Sequence, residues 1–123
     1  MRSGKALCMA TPRMNTAPRQ VLVILVTTAN QKEAVKIANA MVSANLAACA
    51  NIIPAIQSVY RWKGKIVKER EVLIILKSTK ARYRALEKAI KGLHSYETPE
   101  IIALPVSAGL NRYLAWVADA THS

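Results

Sequence analysis

Phenylalanine is absent from this 123-residue chain, and aromatic residues make up only 5% of it. The core must then be built from Val, Ile, Leu, Ala and Met, which a hydrophobic content of 52% supplies. No apolar run approaches the roughly 18 residues a membrane helix needs, so no helical membrane insertion is expected. Cysteine is scarce: Cys8 lies near the N-terminus and Cys49 in a strand-like segment. A disulfide framework is therefore not indicated, and a reducing compartment, the cytoplasm, is the simpler expectation. With four glycines in all, no glycine-rich phosphate loop can be drawn. Acidic residues are also few, seven against 18 Lys and Arg, which gives a formal net charge of +11.

So basic a chain invites a nucleic-acid reading, and the position of the charge bears on it. Residues 1–20 hold Arg2, Lys5, Arg13 and Arg19 and no acid. They also carry two prolines and no apolar period. This stretch is expected to be a flexible basic leader, with organelle targeting as an alternative. The remaining basic residues are scattered, among them Lys63 and Lys65 in one turn and Lys80, Arg82 and Arg84 on one helix. That spread reads as a solvated surface.

Residues 21–120 read as one domain. "VLVILV" from Val21 is a strand buried on both faces. Asn30 and Glu33 have capping-box spacing, and Ala34, Ile37, Ala38, Met41 and Val42 mark the apolar face of a helix over 31–44. A long strand over 47–60 contains Pro54, which should mark a bulge. "RWKGK" is a turn that uses Gly64, and a return strand follows over 65–77. That return strand is charged in its first half and apolar in its second, so the hairpin tip should project from the body. Thr79 is positioned to cap a helix over 80–92 with Tyr83, Leu86, Ile90 and Leu93 inward. A strand over 100–106 and a last helix over 110–120, with Leu110, Tyr113, Leu114 and Val117 on one side, complete the chain.

The order β-α-β-β-α-β plus a C-terminal helix is the ferredoxin-like pattern, an α+β fold with both crossover helices on one face of an antiparallel sheet. The opposite face would be bare and apolar, and self-association is an economical cover. RNA-recognition domains share this order but stack bases on aromatic residues of the central strands. "VLVILV" and "EVLIILK" have none, so no nucleic-acid partner is expected.

Chemistry is sparse. No nucleophile–base pair can be named, so an enzyme is not expected, and nothing calls for an organic cofactor. "HSYETPEI", His94–Ile101, concentrates an imidazole, a phenol, two carboxylates and a proline. Cys49, His94, Glu97 and Glu100 could ligate a divalent metal, Cu(II) or another, if subunits share the site. The plainer alternative is a polar turn whose glutamates pair with Arg or Lys.

Four ordered segments, "NLAACANIIPAIQSVYRWKGKI", "EVLIILKST", "HSYETPEIIALPV" and "YLAWV", closely resemble the CutA family of divalent-cation tolerance proteins. The resemblance implies a homotrimer in which the long second and third strands edge-pair with neighbouring subunits. It implies tolerance to copper and other divalent cations, with no defined enzyme activity. It places metal ligation on His94, Cys49 and Glu97, and an intersubunit cleft on Tyr60, Trp62, Lys77, Tyr96, Glu100, Tyr113 and Trp116. Ser95 stands where the family motif usually has proline. Val26 and Leu93 stand where copper-binding members can carry a further cysteine and histidine, so two soft ligands are missing. The alternative function is a trimeric signalling or adaptor module that binds a small anionic metabolite.

Overall fold

The computed structural model describes residues 19–122 of the chain. Seven elements follow in order: β1 (Val21–Thr28), α1 (Gln31–Ser43), β2 (Cys49–Trp62), β3 (Lys65–Thr79), α2 (Lys80–Leu93), β4 (Ile101–Pro105) and α3 (Asn111–Ala120). The strands form one antiparallel sheet in the order β2-β3-β1-β4. This is the ferredoxin-like arrangement expected from the order of elements.

Strand alternation divides the sheet into two unlike faces. On one face Ile24, Val26, Ile74 and Leu76 pack against Ile37 and Met41 of α1 and Leu86 and Ile90 of α2. These eight side chains are almost completely buried and form the centre of the core. On the other face Val23, Leu25, Leu73 and Ile75 are half-buried, while Ile53, Ile102 and Leu104 are exposed. Helix α3 covers one end of this open face, where Val117 packs with Val21 and Ala48.

Local chemistry explains the element ends. Asn30 Oδ1 accepts from the Glu33 N–H at 2.8 Å and Glu33 Oε1 accepts from the Ala29 N–H at 3.2 Å, which together start α1. The β2–β3 hairpin turns at Lys63 (φ 51°) and Gly64 (φ 80°). Two successive positive φ values suit the right-handed twist of the strands they join. The pairing shifts register between Ile53 and Ile56, so Pro54 falls at an irregularity where its missing N–H costs no ladder bond.

Several expectations are corrected. Thr79 precedes α2 in extended conformation, but its side chain makes no capping bond. It ends β3, pairing with Val21, and is buried there. Val42 is exposed because Ala34, Ile37, Ala38 and Met41 already fill the buried face of α1. Val117 is buried as expected, but Leu110 is 75% exposed and Tyr113 40%, because α3 turns Ala118 inward beside Val117. Gln20, placed in the leader from sequence, belongs to the fold: its amide donates to the Val106 carbonyl and its own carbonyl accepts from the Lys80 N–H. Arg19 also meets the fold, its guanidinium donating to Asp119 Oδ1 at 3.2 Å, and residues 1–18 of the expected leader lie outside the described residues.

Candidate functional site

Residues 67, 69 and 71 of β3 share a strand face with Leu73 and Ile75, so Glu69 and Glu71 belong to the open side of the sheet. Tyr60 pairs with Val67 across the hairpin. The connection from α2 to β4 then brings Tyr96, Glu97 and Glu100 over the same region. Together these elements enclose a cleft of about 620 Å3, with Trp62 on its wall. Four of the seven acids of the chain line it: Glu69, Glu71, Glu97 and Glu100. None of the described Lys or Arg residues does. A second cavity of about 460 Å3, between the start of α2 and β4, mixes Lys80 and Arg84 with Glu87 and has no such bias.

Phenols hold two of the carboxylates. The Tyr60 hydroxyl donates to Glu69 Oε1 at 2.6 Å, and the Tyr96 hydroxyl donates to Glu71 Oε2 at 2.8 Å. The bond to Glu69, then burial and the charges of Glu69 and Glu71, raise the Tyr60 pKa. Burial, then the bond to Glu71 and the surrounding carboxylate charge, push the Tyr96 pKa far above that of an ordinary phenol. Both groups are proton donors at neutral pH and cannot act as bases there. Glu71 is only 7% exposed, and no cation pairs with it among the described residues.

His94 lies beneath this cleft. Its Nε2 meets the Thr27 carbonyl oxygen at 2.7 Å, and its Nδ1 accepts from the Tyr96 N–H at 3.0 Å. The neutral ring therefore carries its proton on Nε2, and both nitrogens are used inside the fold. Glu33 Oε2 stands 3.6 Å from Nδ1 and accepts from the Ser95 N–H at 2.6 Å. Burial raises the Glu33 pKa, but the bonds from Ser95 and Ala29 and the nearby His94 outweigh it and hold the carboxyl below its ordinary range. This small network fastens the start of α1 to the 94–100 connection and so sets the height of Tyr96.

The residues expected at the site fall into separate groups within the chain. Tyr60, Trp62, Tyr96, Glu97 and Glu100 meet in the acidic cleft. Cys49, Lys77, Tyr113 and Trp116 gather at the far end of the open face. There Cys49 Sγ lies 3.6 Å from the Tyr113 hydroxyl, and the Tyr113 and Trp116 rings are 5.7 Å apart. Lys77 Nζ donates to Asn51 Oδ1. The contact with Cys49, then burial, raises the Tyr113 pKa. Among the described residues no three His, Cys, Asp or Glu side chains converge closely enough to share one metal ion, so His94, Cys49 and Glu97 form no common centre within the chain. Glu69 and Glu71 were missed from sequence because "KERE" reads as a solvated hairpin tip. Their spacing of two residues was the available signal, since it puts both on one strand face.

Residues 22–120 match the model of the family described as CutA1 divalent ion tolerance protein. The chain is 41% identical over 99 residues to the divalent-cation tolerance protein CutA of Thermus thermophilus, covering 80% of this chain and 96% of that protein. It is 45% identical over 106 residues to human Protein CutA, covering 86% of this chain and 59% of the longer human protein. The solved structure of the Thermus thermophilus protein superposes with a TM-score of 0.81 at 40% identity, covering 83% of this chain and 99% of that one. CutA1 of Shewanella sp. SIB1 superposes with a TM-score of 0.82 at 38% identity, covering 85% and 97%. By sequence and fold alike, this chain belongs to the CutA1 divalent ion tolerance family.

Proposed function

We propose that the protein works as a homotrimer that confers divalent-cation tolerance by holding the cations at the acidic cleft, which neighbouring protomers complete. One observation carries this reading: four of seven acids line a single cleft that no described basic residue lines, in a chain of net charge +11. Like charges gathered against that background repel one another unless a cation joins them. Carboxylate oxygens suit hard divalent ions, and Cu(II) also accepts oxygen donors. One protomer offers no convergent set of three donors among the described residues, so the coordination is completed by water or by side chains of the next subunit.

The open sheet face supports assembly. Ile53, Ile102 and Leu104 expose apolar surface on it, and the hairpin arm exposes Val59, Tyr60, Trp62 and Ile66. Self-association removes both liabilities together. Threefold packing would also set the Cys49–Tyr113–Trp116 end of one protomer near a neighbour, which is how the two separate groups would become one intersubunit cleft. The reading is of a binding protein and not an enzyme, since the sequence offers no nucleophile–base pair. The anionic-metabolite alternative is opposed by the four carboxylates. Location is carried as cytoplasmic on the scarcity of cysteine.

Equilibrium dialysis of chelator-stripped protein against Cu(II), Zn(II) and Mn(II) tests this. Saturable uptake that falls in Glu97→Gln and Glu100→Gln supports the cleft. Uptake unchanged by both substitutions, or no uptake by an intact trimer, would count against it.

A further inference from the structure

Although the cleft is acidic, its carboxylates are strung out and do not converge on a point. Glu69 and Glu71 follow each other on one strand face, about 7 Å apart along the backbone, while Glu97 and Glu100 come from the 94–100 connection. A metal ion needs its donors within about 2–2.6 Å of one centre, and no three groups in the described protomer meet that demand. Glu71 adds an independent sign of a missing ligand. It lines the cleft, is 7% exposed, and has a single protein donor, the Tyr96 hydroxyl. Its second oxygen has no protein donor among the described residues, and neither does that of Glu69. Burying an uncompensated carboxylate is costly, so a charged partner is expected there.

Apolar surface lies between the charges. Trp62 is 60% exposed, and Tyr60 and Val67 continue its wall. The indole already accepts a cation, since Lys63 Nζ sits 5.8 Å from its ring centre. We infer that the cleft binds a linear aliphatic polyamine, whose separated ammonium groups pair with the separated carboxylates while its methylene segments lie on Trp62 and Tyr60. This rests on the same acidic cleft as the metal reading but needs no convergent donor set.

Calorimetric titration of spermidine into chelator-treated, assembled, full-length protein at about 0.15 M salt tests the inference. Non-specific adsorption of a polycation is opposed by the net charge of +11, so saturable binding reports the cleft. The expected result is one spermidine per protomer. Affinity should fall about tenfold or more in Glu71→Gln, as for loss of a charge-assisted hydrogen bond. It should also fall in Trp62→Ala and stay unchanged in Glu87→Gln, outside the cleft. Sedimentation verifies assembly, and if Glu71→Gln fails to assemble, Glu97→Gln at an exposed position replaces it. Spermidine binding that is indifferent to all cleft substitutions overturns the proposal. So does absence of spermidine binding, whether the cleft then takes Mn(II) in a Glu71-dependent manner, leaving the metal reading intact, or takes neither, ending both. An intact trimer whose cleft is already filled by a neighbouring protomer's lysine would also bind no spermidine and overturn it.

Discussion

The Tyr96 hydroxyl donates to Glu71 Oε2 at 2.8 Å, and this bond joins the 94–100 connection to the sheet across the floor of the acidic cleft. The donor is a phenol that stays protonated, and the acceptor is a buried carboxylate. Tyr96→Phe removes the donor and keeps the ring. Denaturant unfolding at matched protein concentration should show a loss of about 1.5–3 kcal/mol, the usual range for a hydrogen bond to a charged group. An unchanged midpoint would mean that water or a neighbouring subunit replaces the bond.

His94 should behave as a positioning residue and not as a metal ligand. His94→Ala leaves the Thr27 carbonyl and the Tyr96 N–H without their partner in a buried place. A loss of about 3 kcal/mol is expected from two unsatisfied groups, measured by thermal or urea unfolding. The trimer that remains should keep stoichiometric Cu(II) uptake. Uptake abolished in an intact His94→Ala trimer would restore the imidazole to the ligand set.

Acid should loosen the same connection through Glu33. Its pKa in the folded protein lies below the ordinary 4.5, so its carboxylate is favoured by folding. That contribution is fully present above the unfolded-state pKa and is lost as pH falls through the folded one. Glu33→Gln should therefore be less stable than the parent at neutral pH, and the two stability curves should converge as pH falls through the lowered folded-state pKa of Glu33. Parallel curves over the whole range would show that the bonds to Ala29 and Ser95 contribute nothing net.

The open face predicts that no stable monomer exists at micromolar concentration. Sedimentation equilibrium should give a species of three times the 13.5 kDa chain mass. Leu104→Asp, at an exposed position on that face, should shift it toward smaller or unfolded species. A compact monomer of the unsubstituted chain would remove the shared cleft.

Much of the fold was legible because local signals agreed with it. Asn30 and Glu33 marked the start of α1, Gly64 marked the hairpin turn, and Pro54 marked the break in β2 pairing. The apolar runs at Val21–Val26 and Val72–Leu76 identified the two central strands. The site was only half legible. The family resemblance gathered Tyr60, Trp62, Lys77, Tyr96, Glu100, Tyr113 and Trp116 in one intersubunit cleft; within the chain Tyr60, Trp62, Tyr96 and Glu100 line a cleft with Glu97, while Lys77, Tyr113 and Trp116 lie outside it. The floor was missed, because whether a charged strand segment such as "KERE" faces solvent or a cleft depends on what folds over it. His94 invited a ligand reading because imidazole is chemically versatile. Only the tertiary structure shows that a backbone carbonyl and a backbone N–H occupy both ring nitrogens. Cys49 and His94 looked like a soft pair by residue type, but Cys49 pairs with Lys77, itself opposite Val23, while His94 sits at the Thr27 carbonyl four residues further along β1.

Electron paramagnetic resonance of Mn(II) mixed with the assembled protein tests the cation cleft most directly, since bound Mn(II) disappears from the free-ion signal. Titration at neutral pH should show saturable loss of that signal for the parent chain, and a marked weakening for Glu71→Gln in an intact trimer. Equal Mn(II) binding by parent and variant, or a free-ion signal that never falls, would contradict a cation site built on the buried carboxylate.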